Sequence, residues 1–134
     1  MAEGYENTNL IPHNFVEVGD KWGVWTTYPT EETILSYTIP ESGLYLFVIQ
    51  FMFNSNTTNG YTHNIRLNVN GTLIGAYQIQ ACSVAQRDPI CIININFVNA
   101  GQIVTVTCYD ENPTPINVRL IDLNTSSSYA IKLK

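Results

Sequence analysis

The stretch Leu44-Tyr-Leu-Phe-Val-Ile-Gln-Phe-Met-Phe53 decides the fold, because it is apolar on both faces of any strand that it forms. Side chains of a strand point alternately to opposite sides. One face would carry Tyr45, Phe47, Ile49, Phe51 and Phe53, and the other would carry Leu44, Leu46, Val48, Gln50 and Met52. In a monomeric two-layer sandwich each strand buries one face and leaves the other in water. This strand must therefore be covered twice, once by an opposing sheet and once by a loop, the N-terminal segment or another subunit.

Short runs of strand-forming residues, separated by turn residues, surround this stretch. They are Trp22–Tyr28, Thr33–Ile39, Thr62–Val69, Thr72–Ile79, Ile90–Val98, Ile103–Tyr109, Ile116–Ile121 and Tyr129–Leu133. Asn70-Gly71, between two of them, is a strong hairpin signal, because both residues tolerate a positive φ. No helical period is visible. The pattern predicts an all-β jelly-roll sandwich of about nine or ten strands.

The run Ile90–Val98 also mixes apolar and polar faces. Ile93, Ile95 and Phe97 share one face, while Ile92 and Val98 share the other with two asparagines. The sequence leaves open which of the two faces points inward.

The composition is unusual in its low charge. Charged residues make up 13% of the 134 residues, about half of the usual share of roughly 25%. The net charge is −5, and six Lys and Arg residues cannot assemble a basic stripe, so nucleic-acid binding is excluded. The 45% hydrophobic content excludes a disordered chain.

The first twenty residues are mostly polar, with a short apolar patch at residues 15–18. We expect residues 1–20 to form an arm that attaches to a larger assembly, with residues 21–134 as the domain. They contain no positive and apolar stretch typical of a signal peptide, and no apolar run is long enough to cross a bilayer. We therefore expect production in a cytoplasm, unless a leader was removed, and no membrane insertion. The three cysteines, Cys82, Cys91 and Cys108, are expected to be buried free thiols, with a Cys82–Cys91 bridge as the alternative.

Four segments resemble the tumour necrosis factor (TNF) and C1q superfamily of trimeric jelly rolls. Thr38–Phe47 is similar to the family segment that leads into the long central strand, and Leu67–Ile74 resembles the C1q-type hairpin. Phe97–Val104 resembles a late turn of the family, and Tyr129–Leu133 resembles its last apolar strand. Gln102 stands where the family usually has Asp, which leaves open how the late turn is capped.

The resemblance implies a homotrimer in which one sheet faces the three-fold axis. It would place Leu46, Val48 and Gln50 at the axis, and Tyr45 and Phe47 in the core of each subunit. Gln50, a single polar residue on an apolar face, could pair with its symmetry mates across the axis. The expected trimer interface is formed by the face that contains Leu44, Leu46, Val48, Gln50 and Met52.

Residue patterns for catalysis or metal binding are missing. His13 and His63 stand apart, without the His and Glu set of a metal-binding jelly roll. Asp110 and Glu111 adjoin each other before a proline, where we expect a solvated acidic turn rather than a calcium site. Ser126–Ser128 lack the strand-turn-helix context of a nucleophile. We therefore expect no enzyme activity, no cofactor and no metal.

Binding residues are expected in loops on the rigid sandwich. The candidates are Asn56, Tyr61, Tyr109 and Asp110. Trp22 and Trp25 lie three apart and would point to opposite faces of the first strand, one into the core and one towards a neighbouring subunit.

These observations predict a non-enzymatic, trimeric head module displayed on a virion, as a bacteriophage head-fibre, decoration or receptor-binding protein made in the host cytoplasm. Its partners would be two further copies, a capsid or fibre, and a glycan or receptor. The alternatives are a secreted or cell-surface ligand of the TNF and C1q type, and a monomeric carbohydrate-binding module.

Overall fold

The computed structural model describes residues 10–55, 61–81, 87–112, 114–122 and 127–134, with only the backbone described at 61, 81 and 87. Ten strands occur in these residues. They are β1 (His13–Asn14), β2 (Val16–Glu17), β3 (Glu32–Thr38), β4 (Gly43–Ser55), β5 (Tyr61–Val69), β6 (Thr72–Ala81), β7 (Arg87–Val98), β8 (Ile103–Asp110), β9 (Val118–Ile121) and β10 (Tyr129–Lys132). No helix of the described part could cross a membrane.

The strands form two five-stranded sheets that pack face to face. The front sheet has the order β1-β10-β4-β7, with β9 also paired to β4. The back sheet has the order β2-β3-β8-β5-β6. All pairings between the strands are antiparallel. The prediction of an all-β jelly-roll sandwich is confirmed.

The core lies between the sheets, and β4 supplies its centre. Tyr45, Phe47, Ile49, Phe51 and Phe53 share one face, as the alternation predicted, and all are buried there, as the resemblance implied for Tyr45 and Phe47. The back sheet meets them with the buried side chains of Leu35, Ile65, Leu67, Val104 and Val106. The opposite face of β4, with Leu44, Leu46, Val48, Gln50 and Met52, therefore points away from the core, on the outer side of the front sheet.

Two turns form where the sequence placed them. Asn70 and Gly71 have φ values of 46° and 85°, the positive values that a two-residue hairpin turn requires. In the late turn, the Oε1 of Gln102 accepts a hydrogen bond from the backbone N–H of Asn99 at 2.8 Å. Glutamine thus supplies the side-chain cap at this position.

The N-terminal segment corrects the expected arm of residues 1–20. Residues 1–9 lie outside the described part, but β1 pairs with β10 and β2 pairs with β3, so the segment joins both sheets. Phe15, between β1 and β2, is buried, and its ring centroid lies 5.6 Å from that of Tyr37 and 6.3 Å from that of Phe47. Phe15 thus anchors this segment in the core, in addition to the backbone pairing of β1 and β2.

The run Trp22–Tyr28 is the one predicted strand that does not form. Gly23 adopts a φ of 73°, which breaks the extended backbone, and only Thr26 makes an isolated bridge, with Val118. Trp22 packs edge-to-face on Phe51 and donates its Nε1–H to the carbonyl oxygen of Ile34 at 2.9 Å. Trp25 remains exposed. The two indoles therefore point as expected, inward and outward, although the segment is not a strand.

The cysteines differ from one another. Cys108 is a buried free thiol, as expected, whereas Cys91 is a free thiol that is exposed, so the expectation of burial is wrong there. The register of β4 and β7 places Cys91 opposite Gln50 on the outer side of the front sheet. Cys82 lies outside the described residues.

Candidate functional site

The outer surface of the front sheet, called the front face below, is apolar across three neighbouring strands. Residues that pair across antiparallel strands share a face. The register of β4 with β7 and β10 therefore joins the outward residues of these strands into one surface. They are Leu44, Leu46, Val48, Gln50 and Met52 on β4, Pro89, Cys91, Ile93, Ile95 and Phe97 on β7, and Tyr129 and Ile131 on β10.

The structure decides which face of β7 points into the core, a question that the sequence left open. Ile92 and Val98 are buried, whereas Ile93, Ile95 and Phe97 are 64%, 58% and 62% exposed. The more apolar face of this strand thus points into solvent. On the enclosed face, Asn94 donates its Nδ2–H to the carbonyl oxygen of Ile74 at 2.8 Å, so its amide nitrogen has a partner there.

The five residues expected at a trimer interface all lie on the front face. Val48 is 7% exposed, and Leu44, Leu46, Gln50 and Met52 are half-buried. Their neighbours within the same chain cover part of them, so most of the exposed apolar surface lies on β7. Among the described strands, β7 pairs only with β4 and so forms one edge of the front sheet. Long apolar edge strands are a hazard for aggregation unless something covers them.

The four loop candidates are scattered. Asn56 and the side chain of Tyr61 lie outside the described residues. Tyr109 is half-buried, and its pairing with Asn64 and the pairing of Asn64 with Gln78 place it on the outer side of the back sheet. Asp110 is 2% exposed, so the expected solvated turn is wrong at this residue, although Glu111 is exposed.

Asp110 is buried because it organises the segment that follows it. Its Oδ1 accepts a hydrogen bond from the backbone N–H of Asn112 at 2.8 Å, and its Oδ2 accepts one from the backbone N–H of Ile116 at 2.8 Å. The Nε2 of His63 lies 3.4 Å from Oδ2, and both side chains are fully buried. Burial lowers the pKa of His63 from its ordinary value, against the opposing effect of the Asp110 charge. This arrangement holds the loop in place and leaves no carboxylate oxygen open to a ligand from solvent.

Comparisons with known proteins bear on the fold. No sequence family and no curated protein matches the chain. Among solved structures, the Eiger TNF from S. frugiperda is similar over 91% of this chain and 94% of that chain, with a TM-score of 0.57 and 12% identity. The fold is that of TNF. A family 35 carbohydrate-binding module from Clostridium thermocellum matches over 92% of this chain and 87% of that chain, with a lower TM-score of 0.41 and 16% identity.

One contact in this TNF-like jelly roll could not be found from sequence. Glu17 on β2 and Asp122, just after β9, are 105 positions apart, and their carboxyl groups share a hydrogen bond. This bond, partial burial and the charge of Asp122 raise the pKa of Glu17 from 4.5 to about 7. The folded state keeps this proton where the unfolded chain has lost it, so a rise in pH from 4.5 to about 7 removes stability.

The described residues contain no group of three or more His, Cys, Asp and Glu side chains that could hold a metal ion. Glu17 and Asp122 line a cavity of about 270 Å³ together with Asn14, Phe15, Leu35, Ser127 and Ser128. A shared proton accounts for the closeness of the two carboxyl groups, because it removes one of the two like charges.

Proposed function

We propose that this TNF-like jelly roll is a non-enzymatic head module that assembles as a homotrimer through its front face. One observation carries the proposal: Ile93, Ile95 and Phe97, which form an apolar row on β7, are each more than half exposed in the single chain. Contiguous exposed apolar surface on a soluble domain marks an interaction site. A second copy with the same face supplies a surface of matching polarity.

The front face continues from this row onto β4, where Leu46 and Val48 pair with Ile95 and Ile93. Closure of three subunits would bury both strands and remove the exposed edge of the front sheet. Gln50 is a polar residue within this surface. Near a three-fold axis its amide could bond to its symmetry mates, which would set the register of the subunits.

The low charge of the chain supports the same proposal. No charged side chain occurs among the outward residues of β4 from position 44 to 52 or among those of β7 from position 89 to 97. A surface that meets copies of itself needs no charge for solubility, and aligned like charges would oppose assembly.

The setting that we propose is a virion, on which the module acts as a decoration or receptor-binding head. The motivation is the polar but weakly charged sequence together with a trimer-forming fold. In this setting we expect the chain to copurify with assembled virions and antibodies against it to label the outer surface of the virions in electron microscopy. Its absence from purified particles would contradict the virion role and leave the trimer unaffected.

The decisive measurement for the assembly is the mass in solution of the full chain, obtained by light scattering at micromolar concentration. We expect three times the protomer mass of 15.0 kDa. A monomeric mass at this concentration would overturn the proposal. A dimeric mass would likewise contradict the proposed trimer.

A further inference from the structure

The outer surface of the back sheet, called the back face below, differs in chemistry from the front face. One row across three strands consists of Tyr109 on β8, Asn64 on β5 and Gln78 on β6. The row next to it, towards the end of the sheet, pairs Thr62 with Gln80. These side chains are uncharged, and each can donate and accept hydrogen bonds.

The side-chain amides of these two rows are joined by long hydrogen bonds. Gln78 donates its Nε2–H to the Oδ1 of Asn64 at 3.3 Å, and Gln80 donates to the Oε1 of Gln78 at 3.4 Å. Both distances exceed the usual 2.7–3.2 Å for such bonds, so the amides hold one another weakly. Gln78 and Gln80 are exposed, and the Nδ2 of Asn64 makes no hydrogen bond in the structure although it is buried. The exposed amides of Gln78 and Gln80 can exchange these long bonds for bonds to a ligand.

The charges next to these rows are largely cancelled. Arg66 lies 3.4 Å from a carboxylate oxygen of Glu31, whose other oxygen accepts a hydrogen bond from the hydroxyl of Thr107 at 2.8 Å. The Oε2 of Glu111 accepts a long hydrogen bond from the Nε2 of Gln78 at 3.5 Å. The negative charge of Glu111 beside the amides opposes an anionic ligand.

Apolar partners are also disfavoured on this part of the sheet. The exposed apolar side chains of Leu73 and Ile103 lie at the other end of the back sheet, beyond the row that contains Arg66. Ala76, which pairs with Arg66, is small and leaves the side of Gln78 open. The part of the back face around Gln78 is thus a polar, nearly neutral platform with one aromatic ring.

We propose that this platform binds a neutral oligosaccharide. Sugar hydroxyls both donate and accept hydrogen bonds, as the side-chain amides of Asn64, Gln78 and Gln80 do, and the amphipathic ring of Tyr109 can contact a sugar face. The inference rests on the proposed function, because assembly through the front face would leave the back face of every subunit pointing outward. Three equivalent platforms would then strengthen weak single-site binding by avidity.

The test uses the full chain on an array that carries neutral oligosaccharides beside sialylated and sulfated versions of the same chains. The neutral oligosaccharide with the strongest signal is then titrated into the protein by calorimetry. We compare the wild type with Gln78→Ala/Gln80→Ala and with Asn117→Ala, a matched control that removes an exposed amide just before β9, a strand of the front sheet. Both glutamines are exposed, so the double variant is expected to fold normally.

We expect binding of neutral oligosaccharides, a loss of about tenfold in affinity for the double variant, and no change for Asn117→Ala. The inference is overturned if no neutral oligosaccharide binds, if binding requires sialic acid or sulfate, or if the double variant binds as the wild type does. The mass in solution is measured on the same samples. A trimer without glycan binding contradicts this inference alone, whereas a monomer that binds neutral glycans contradicts the proposed assembly alone.

Discussion

Replacing Ile95 with aspartate should dissociate the proposed trimer without unfolding the protomer. Ile95 is 58% exposed on the front face, so the single chain depends little on its side chain. In an assembly through this face the same position becomes buried. The substitution therefore separates the stability of the subunit from that of the interface, which Val48→Asp would not do, because Val48 is only 7% exposed in the protomer.

The expected magnitude follows from the exposed fraction. Complete burial of an isoleucine side chain contributes about 1.5–3 kcal/mol, so the exposed 58% of Ile95 corresponds to about 1–2 kcal/mol per subunit. An unpaired carboxylate in the interface costs several kcal/mol more. Together these effects exceed about 4 kcal/mol per subunit, which weakens association roughly a thousandfold for each copy.

The assay is the mass in solution by light scattering, combined with thermal unfolding of each variant. Ile103→Asp is the matched control, because Ile103 is 45% exposed on the back sheet and begins strand β8. We expect Ile95→Asp to be a folded monomer and Ile103→Asp to keep the mass of the wild type. If Ile95→Asp remains trimeric while the wild type is a trimer, the front face is not the interface, and the reasoning from exposed apolar residues is refuted.

Three further predictions concern the single subunit. The unfolded chain binds a proton at His63 more readily than the folded chain, so the free energy of unfolding should fall as the pH drops below about 6.5. Denaturant titrations of Glu17→Gln would check this, because the variant lacks the carboxyl group whose raised pKa increases stability as the pH falls. A free energy of unfolding that does not change with pH would contradict the prediction. Asp110→Asn should lower the free energy of unfolding by about 1–3 kcal/mol in the same titration, because an amide nitrogen cannot accept one of the two backbone hydrogen bonds. The control Glu111→Gln changes an exposed side chain and should stay within about 0.5 kcal/mol of the wild type. Equal effects of the two variants would contradict the role of Asp110 in holding the loop. Gly43→Ala should lower the melting temperature, because the added methyl group would overlap the backbone carbonyl oxygen of Lys134. An unchanged melting temperature would show that the backbone at Lys134 moves aside without loss of stability.

Much of the fold could be predicted because its signals are local. The alternation of β4 and the Asn70-Gly71 hairpin each depend on a few consecutive residues, and both were placed correctly. The arm was misplaced for residues 10–20 because Phe15 looks like any isolated aromatic residue until its partners across the core are known. The exposure of Asp110 was misjudged for a similar reason, since its burial depends on donors up to six residues further on and on His63 from another strand.

By itself, the sequence determined that this protein is an all-β sandwich with a central strand that needs cover on both faces. The period of two residues is a property of every strand, so it can be read without knowing where the strand lies. The tertiary structure alone decided that Ile93, Ile95 and Phe97 point outward and that Tyr109, Asn64 and Gln78 form one row. The periodicity defines two faces for each strand, but only the pairing register and the closure of the two sheets decide which face is enclosed and which side chains meet.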